Sequence, residues 1–323
     1  MLEQSDDACP TAPLPPSHMN FTSIYTDKTE GTSIIDAHAE NLYRQQTNAI
    51  NQYETQIYKW IEKGFAPENN TRTPITCTID WLSDWANQNA LLGIEISSQG
   101  EATRKWTLAS LSSQYIQIRK TKWIAPEKRK TIDDWLYHLA AQVMEEYKRD
   151  RHRTSRNNNH QYWEAWSVMI TGVALNEPKF YKWGVRNFKK AMQQVQKDGT
   201  LPLELSRQGK AFHYHLFATT PLVMMAETAK KNGLNLYKYR HNSLLKLINL
   251  NLKELENNQE YLTATTETAQ DLTGTITPRQ LAWLVPYRQN YPDRRADKWI
   301  EELNPMIQRG IGGNLSRIYS DAE

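Results

Sequence analysis

Apolar and aromatic residues recur along most of this chain at steps of three and four positions, the spacing of one face of an α-helix. Between positions 35 and 64, Leu42, Ile50, Ile57 and Ile61 follow this period, and Gly64 ends the run. Alternating strand patterns of useful length do not appear in the sequence. The pattern predicts helices over positions 35–64, 79–92, 102–118, 131–147, 162–175, 178–195, 211–232, 239–255, 278–287 and 297–307.

Residues typical of helix boundaries support these helices. Pro178 and Pro278 stand where a first helical turn tolerates proline, and Gly233 follows a long helix as a C-terminal cap would. About ten helices joined by short loops predict an all-α array in a single unit rather than a four-helix bundle. No repeat of fixed period indicates a solenoid. Residues 1–20 are Pro-rich and aperiodic, so they are predicted to form a tail or arm, and residues 21–320 a single domain.

Composition narrows the classes of protein that the helices could belong to. The 323 residues are 39% apolar and 23% charged, enough for a folded core, and the formal net charge is +3. This near balance argues against a general nucleic-acid binder but allows a local basic cleft that attracts an acidic ligand. No apolar run is long enough to span a bilayer, and the first residues lack the pattern of a signal peptide, so neither is expected in this sequence.

Two cysteines, Cys9 and Cys77, are the only ones in the chain. They could form a disulfide in an oxidising compartment, or they could be two unrelated thiols. Neither lies in a CxxC pattern, so the sequence gives no support to a zinc site or a thioredoxin-type site.

The stretch RNNNHQYWEAWS, positions 156–167, places three asparagines before a histidine and several aromatics. One asparagine is explained as the N-cap of the following helix, but three are not. His160 falls in the first helical turn, where the positive end of the helix dipole favours a neutral imidazole. The stretch is therefore either a well-capped helix start or the wall of a site for a polar, ring-shaped ligand.

A second stretch, LPLELSRQGKAFHYH at positions 201–215, carries Arg207 and Lys210 in a loop and Tyr214 between two histidines. Side chains two positions apart on a helix point about 200° apart, so His213 and His215 are poorly placed to share a metal. No metal or organic cofactor is predicted. The sequence also lacks a nucleophile elbow and an identifiable pair of isolated carboxylates for glycosidase chemistry.

The remaining set of Asn, His, Arg and Tyr fits abstraction of a proton next to a carboxylate, followed by β-elimination. Arginine and asparagine donors would neutralise the carboxylate of a uronate and stabilise the enolate-like transition state. A tyrosine, made more acidic by nearby cations, would remove the C5 proton and return one to the departing glycosidic oxygen.

Three segments strongly resemble the alginate lyases of polysaccharide lyase family 5: NNNHQYWEAWSVMITGVA, DGTLPLELSRQGKAFHYHLFATTPLVMMA and LAWLVPYRQNY. The resemblance extends over about residues 9–320. It implies an incomplete (α/α) toroid of helical hairpins with a deep cleft, a periplasmic or secreted location, and an anionic polysaccharide as the partner. The family's catalytic positions fall on Asn159, His160, Arg207 and Tyr214.

The resemblance also suggests residues that bind substrate. The family has a lysine where this chain has Ile24, and Lys28, four residues on, could reach the same place. Arg309 is displaced by one position from the family's arginine in the segment RGIGGN. Substrate binding is also assigned to Lys210 and His213, and Trp106, Trp163 and Tyr115 are candidates for a sugar platform, although core positions explain these aromatics equally well.

The expected function is cleavage of a polyuronate, above all polymannuronate-type alginate, to give 4-deoxy unsaturated ends. In β-D-mannuronate the C5 proton and the leaving O4 lie on the same face, so Tyr214 is assigned both proton transfers. His160 would orient or neutralise the acid, or act as base for guluronate. Alternatives are a lyase for polyglucuronate or mixed polyuronates, a non-catalytic polyuronate-binding protein, and a helical scaffold for a protein partner. The chain is expected to act as a monomer, without a nucleic-acid or membrane partner.

Overall fold

The computed structural model describes residues 9–25, 34–66, 72–93, 95–149, 154–271 and 275–320. The α-helices in this part of the chain are α1 (Ala37–Gln46), α2 (Asn48–Gly64), α3 (Arg72–Asn87), α4 (Ser98–Ile118), α5 (Pro126–Arg149), α6 (Asn159–Leu175), α7 (Pro178–Met192), α8 (Pro202–Leu205), α9 (Ala211–Lys231), α10 (Tyr239–Glu256), α11 (Glu260–Thr266), α12 (Pro278–Leu281), α13 (Leu284–Arg288), α14 (Arg294–Glu302) and α15 (Leu315–Ile318). Two short strands, β1 (Ile307–Gln308) and β2 (Gly313–Asn314), pair in antiparallel fashion.

The long helices pack as hairpins in two layers. The hairpins are α2 with α3, α4 with α5, α6 with α7, and α9 with α10. Their first helices contact one another in the order α2, α4, α6, α9 and form the inner layer, whereas their second helices lie outside. The C-terminal segment contacts the inner helices α2 and α4, and α12 contacts α9. The predicted incomplete toroid of helical hairpins is therefore confirmed.

Helix α6 lies at the centre of this arrangement and is buried on nearly all sides. It packs against α4, α5, α7 and α9, so few of its positions can face water. The contact between α6 and α7 is close enough to require glycine. A Cβ atom at Gly184 would lie 2.4 Å from the Met169 side chain, and one at Gly172 would lie 2.6 Å from the main-chain nitrogen of Tyr181.

The N-terminal arm, described from Cys9, runs along α3. Cys9 and Cys77 form a disulfide, which decides between the two readings of the cysteines. The indole N–H groups of Trp81 and Trp85 donate to the carbonyl oxygens of Pro10 and Pro13, at 2.7 and 2.8 Å. The arm is thus tied to the outer layer by one covalent bond and by two hydrogen bonds from tryptophans of α3.

The helix predictions differ from the structure mainly at helix ends. The predicted helix over 35–64 is broken at Thr47, whose hydroxyl donates to the carbonyl of Tyr43. The helix predicted from position 79 begins at Arg72, and it ends before Asn89 and Leu91, which have positive φ. The helix predicted over 278–287 is two short helices, and α8, α11 and α15 were not predicted. No helix in the described ranges is both long and apolar enough to cross a membrane.

Candidate active site

A cavity of about 760 Å³ opens among the inner helices and the C-terminal segment. Eight residues predicted from the sequence to act in catalysis or substrate binding line it: Trp106, Asn159, His160, Trp163, Arg207, His213, Tyr214 and Arg309. They come from α4, α6, α9 and the loops before α9 and after β1. The fold therefore gathers positions more than two hundred residues apart. Lys28, which was also predicted, lies outside the described residues.

The three consecutive asparagines at the start of α6 have different environments. Asn158 is the N-cap, and its side-chain oxygen accepts a hydrogen bond from the N–H of His160 at 3.0 Å. Asn157 ends a 3₁₀ turn and is exposed. Asn159 is fully buried at the first position of the helix and lines the cavity. Only one asparagine caps the helix, as the sequence predicted, and another is available to the site.

Glu204, on α8, positions Asn159 and was not identified from the sequence. It is fully buried, and its carboxylate accepts hydrogen bonds from the main-chain N–H of Asn159 at 2.7 Å and from the side-chain amide at 3.0 and 3.1 Å. Burial raises the pKa of Glu204 to about 7, and the Asn159 donors oppose that rise. A signal was present in the sequence, since Glu204 is the one acidic residue in LPLELSRQGKAFHYH.

His160 carries a neutral imidazole. Its pKa is well below the ordinary value, first because burial disfavours the charged ring and then because Lys105, Arg207 and Arg156 repel a further positive charge. A neutral ring was predicted from the helix dipole, so the outcome agrees but burial is the main cause. The ring of Trp106 lies 5.9 Å from that of His160.

A buried cluster of charged residues supplies two of these cations. Lys105 pairs with Glu164 at 3.3 Å, and Arg156 pairs with the same carboxylate. All three side chains are at least nine-tenths buried, between α4, α6 and the turn before α6. Glu164 pairs with both cations and Glu101 lies 3.8 Å from Arg156, so the cluster holds two cations close to His160 without exposing them to the cavity.

Tyr214 lies on the cavity wall with 8% of its surface exposed. Its hydroxyl is hydrogen-bonded to that of Tyr25, and the Arg207 guanidinium lies 4.5 Å from the centre of its ring. The pKa of Tyr214 is raised, mainly by burial and then by Tyr25, whereas Arg207 lowers it. The expectation that nearby cations make this tyrosine more acidic is therefore wrong, because desolvation outweighs the favourable charge of Arg207.

Comparison with known proteins assigns the chain to a family. The sequence model described as alginate lyase matches residues 20–261. The chain belongs to the alginate lyase family. An alginate lyase of Azotobacter vinelandii is 32% identical over 328 residues, covering 98% of this chain and 85% of the relative, and one of Pseudomonas aeruginosa is 31% identical over 324 residues, covering 98% and 86%.

Solved structures share the fold. Alginate lyase A1-III from Sphingomonas species A1 has a TM-score of 0.83 at 21% identity, over 99% of this chain and 88% of that one. A complex of alginate lyase A1-III with a tetrasaccharide has a TM-score of 0.86 at 20% identity, with the same coverage. Together with the family assignment, these comparisons identify the protein as a polysaccharide lyase.

Tyr25 also belongs to this site, although it was not identified from the sequence. It lines the cavity beside Ile24 and pairs through its main chain with Ile35. The N-terminal segment thus reaches over the inner layer and contacts the hydroxyl of Tyr214. The signal was weak, because one tyrosine in the segment FTSIYTDKTEG has no periodic context.

Another part of the lyase cavity wall consists of charged residues from α2, α12 and the C-terminal segment. Arg309 donates to the carbonyl of Asn51 at 3.3 Å and to the hydroxyl of Thr55 at 2.5 Å. Arg279 and Glu54 line the same wall. Burial raises the pKa of Glu54 to about 7, and both arginines, together with hydrogen bonds to Ser110 and Thr107, oppose the rise. Neither Glu54 nor Arg279 was identified from the sequence.

The remaining residues that were predicted to bind substrate do not all face the cavity. His213 is exposed to the cavity, whereas the ring of His215 is buried and accepts the N–H of Leu201 at 3.0 Å. Lys210 is not brought to the cavity wall and pairs with Asp271 at 2.7 Å.

The three candidate platform aromatics also differ in position. Trp106 is partly exposed on the cavity wall, and Trp163 touches the cavity but is almost fully buried, with its indole N–H donating to the carbonyl of Phe217 at 3.2 Å. Tyr115 is in the core, hydrogen-bonded to Asp133 at 2.9 Å. Trp106 is therefore the best placed of the three to stack on a sugar ring.

Proposed function

We propose that this enzyme cleaves alginate by β-elimination, with a preference for polymannuronate, and leaves 4-deoxy unsaturated uronate ends. The observation that carries this proposal is the placement of Asn159, His160, Arg207 and Tyr214 on one cavity wall. Two further facts support it: relatives over 30% identical along almost the whole chain are alginate lyases, and an alginate lyase of the same fold is known in complex with a tetrasaccharide.

The first step of the proposed reaction is neutralisation of the substrate's carboxylate. Arg207 and the amide of Asn159 are the donors, and the neutral ring of His160 adds a hydrogen bond. Charge that moves from C5 onto the carboxylate in the transition state is stabilised by the same groups. Glu204 holds Asn159 in place through three contacts, so the amide does not have to be ordered during the reaction.

The second step is proton transfer by Tyr214. Its oxygen takes the C5 proton, the electron pair forms the C4=C5 double bond, the C4–O bond breaks, and the phenol returns the proton to the leaving oxygen. The oxygen must be a phenolate to act as the base. Substrate that displaces the Tyr25 hydroxyl removes one contribution that raises the pKa of Tyr214, while the contribution of Arg207, which lowers it, remains.

The preference for polymannuronate follows from the use of a single residue for both transfers. In mannuronate the proton and the leaving oxygen share a face of the ring, so one phenol can serve both. The disulfide favours the periplasmic or secreted location implied by the resemblance, because disulfides persist in oxidising compartments.

The test is a panel of polymannuronate, polyguluronate, polyglucuronate and hyaluronate, followed by the ultraviolet absorbance of the new double bond. We expect the fastest rise with polymannuronate and none with Tyr214→Phe. Tyr261→Phe is the matched control, since Tyr261 is exposed and bonded to Asp198 away from the cavity. Activity retained in Tyr214→Phe would remove this residue from the chemistry. Polyuronate binding without any turnover by the unmodified protein would favour a non-catalytic binding protein instead.

A further inference from the structure

The outward face of helix α7 carries a row of basic side chains. Because successive helical residues are about 100° apart, five cations of this helix fall within an arc of about 100°. They form the surface called here the outer basic strip: Lys179, Lys182, Arg186, Lys189 and Lys190. At 1.5 Å per residue the strip is about 16 Å long. Its residues do not line the cavity, and α7 belongs to the outer layer of helices.

Carboxylates do not neutralise the outer basic strip. Positions 178–197 contain six basic residues and no acidic one, in a chain whose formal net charge is only +3. Glu177, just before α7, is the N-cap and accepts the main-chain N–H of Lys179 at 3.1 Å. Among the described residues, none forms an ion pair with a member of the strip. The charges therefore add, since cations one helical turn apart lie within the Debye length of about 10 Å at 0.1 M salt.

Two tyrosines lie beside one end of the strip. The amino group of Lys189 is 5.4 Å from the centre of the Tyr239 ring, and that of Lys190 is 5.5 Å from the centre of the Tyr147 ring. Both rings are partly exposed. A sugar acid has a carboxylate and an apolar C–H face, so cations next to partly exposed rings match its chemistry.

The apolar residues of α7 make a membrane surface a poorer match for the strip. Phe180, Trp183 and Phe188 are buried in the core, and no large apolar side chain of this helix is exposed. A helix that binds in the plane of a bilayer inserts its apolar face into the lipid. The face that α7 presents to solvent has charge but no such apolar surface, which favours a soluble polyanion.

We propose that the outer basic strip binds a second stretch of the anionic polysaccharide, outside the cleft. The choice of a polyuronate as the ligand rests on the proposed function. A long chain is then held at two places, and binding at one raises the effective concentration of the chain at the other. A short oligomer that occupies the cleft cannot reach the strip, so its binding does not depend on these cations.

The experiment removes three exposed cations of the strip, in the variant Lys179→Gln/Lys182→Gln/Arg186→Gln. The control, Lys63→Gln/Arg294→Gln/Lys298→Gln, removes the same charges from exposed positions of α2 and α14. Both sets are placed in Tyr214→Phe, so that the ligand is not consumed, and thermal unfolding checks the folding of each protein. The dissociation constants of a long polymannuronate and of a mannuronate hexamer are measured by calorimetry.

At low salt the strip variant is expected to bind the long polymer about tenfold more weakly than the control does, and to bind the hexamer equally well. At 1 M salt, where the Debye length is about 3 Å, the difference is expected to disappear. Equal constants for the long polymer in the two proteins would overturn the proposal, and so would an equal loss for the hexamer, which would indicate an effect on the cleft.

A further measurement tests the membrane alternative. Loss of binding to phosphatidylglycerol vesicles in the strip variant, with unchanged polymer binding, would assign the strip to a lipid surface and overturn the proposal. The double-bond absorbance of the unmodified protein decides the proposed function separately. Strip-dependent polymer binding without turnover would leave this inference standing while the proposed function fails, and turnover with equal polymer binding would give the reverse result.

Discussion

Glu204→Gln is expected to change how the stability of this protein depends on pH. Glu204 is fully buried beneath the start of α6, and its carboxylate accepts hydrogen bonds from the main-chain N–H and the side-chain amide nitrogen of Asn159. Glutamine has nearly the same shape and no ionisable group. The substitution therefore removes one titration while it keeps the volume of the side chain.

The size of the effect follows from the pKa of this carboxyl group. Burial raises it from 4.5 to about 7 in the folded protein. Between these two values the folded state binds more protons than the unfolded state, so the free energy of unfolding falls as the pH rises. At about 1.4 kcal/mol per pH unit, the loss from this group approaches about 3 kcal/mol above pH 7. Below pH 4.5 both states are protonated, and the group has no effect.

The assay is urea denaturation of the disulfide-intact protein at pH 5 and pH 8. The free energy of unfolding of Glu204→Gln, relative to the unmodified protein, is expected to rise by about 2–3 kcal/mol from pH 5 to pH 8. Glu54 and Glu146 also have pKa values of about 7, but they titrate in both proteins and cancel in the difference. Glu302→Gln, at an exposed position, is the control. If the difference in the free energy of unfolding between the two proteins is the same at pH 5 and pH 8, the argument that burial raises the pKa of Glu204 is refuted.

Three other substitutions test separate parts of the structure. Cys77→Ala opens a loop of 68 residues and should lower the free energy of unfolding by roughly 4 kcal/mol, as measured by denaturation without reductant. Glu164→Ala leaves Lys105 buried without its partner, and about 3–5 kcal/mol of stability should be lost, visible as a fall in Tm; an unchanged Tm would contradict the role given to this pair. Lys210 pairs with Asp271 and does not line the cavity, so Lys210→Ala should change KM on polymannuronate less than twofold; a tenfold rise would place Lys210 in the binding site after all.

The long helices were predictable because burial of one face imposes a period on the sequence. The predictions failed where this period does not determine whether a helix is present or where it ends. Thr47 interrupts the long helical pattern through a local bond to the carbonyl of Tyr43, and no change in hydrophobic spacing marks the break. Helices of four residues, such as α8, are too short to show a period at all. The toroid of hairpins and its cleft were predicted from the resemblance and not from the hydrophobic pattern.

The site was only partly predictable for a related reason. The family's motifs point to Asn159, His160, Arg207 and Tyr214, and the fold brings all four to one cavity. Residues that act on these four are joined to them by contacts between distant parts of the chain. Glu204 meets Asn159 across 45 positions, and Tyr25 meets Tyr214 across 189. The spacing of neighbouring residues does not predict such a contact, so the roles of Glu204 and Tyr25 were found only in the three-dimensional structure.

The positions of the charged residues around the site explain why the formal net charge of +3 does not predict the ligand. Lys105 is buried and neutralised by Glu164, so it cannot meet a substrate, yet it helps to keep His160 neutral. Arg207 and Arg279 face the cavity instead and shape the field that a polyanion would enter. Since the pKa of the imidazole lies well below its ordinary value and the ring stays uncharged near neutral pH, neutralisation of the substrate's carboxylate falls to the arginines. His160 is then left to donate a hydrogen bond or to accept a proton.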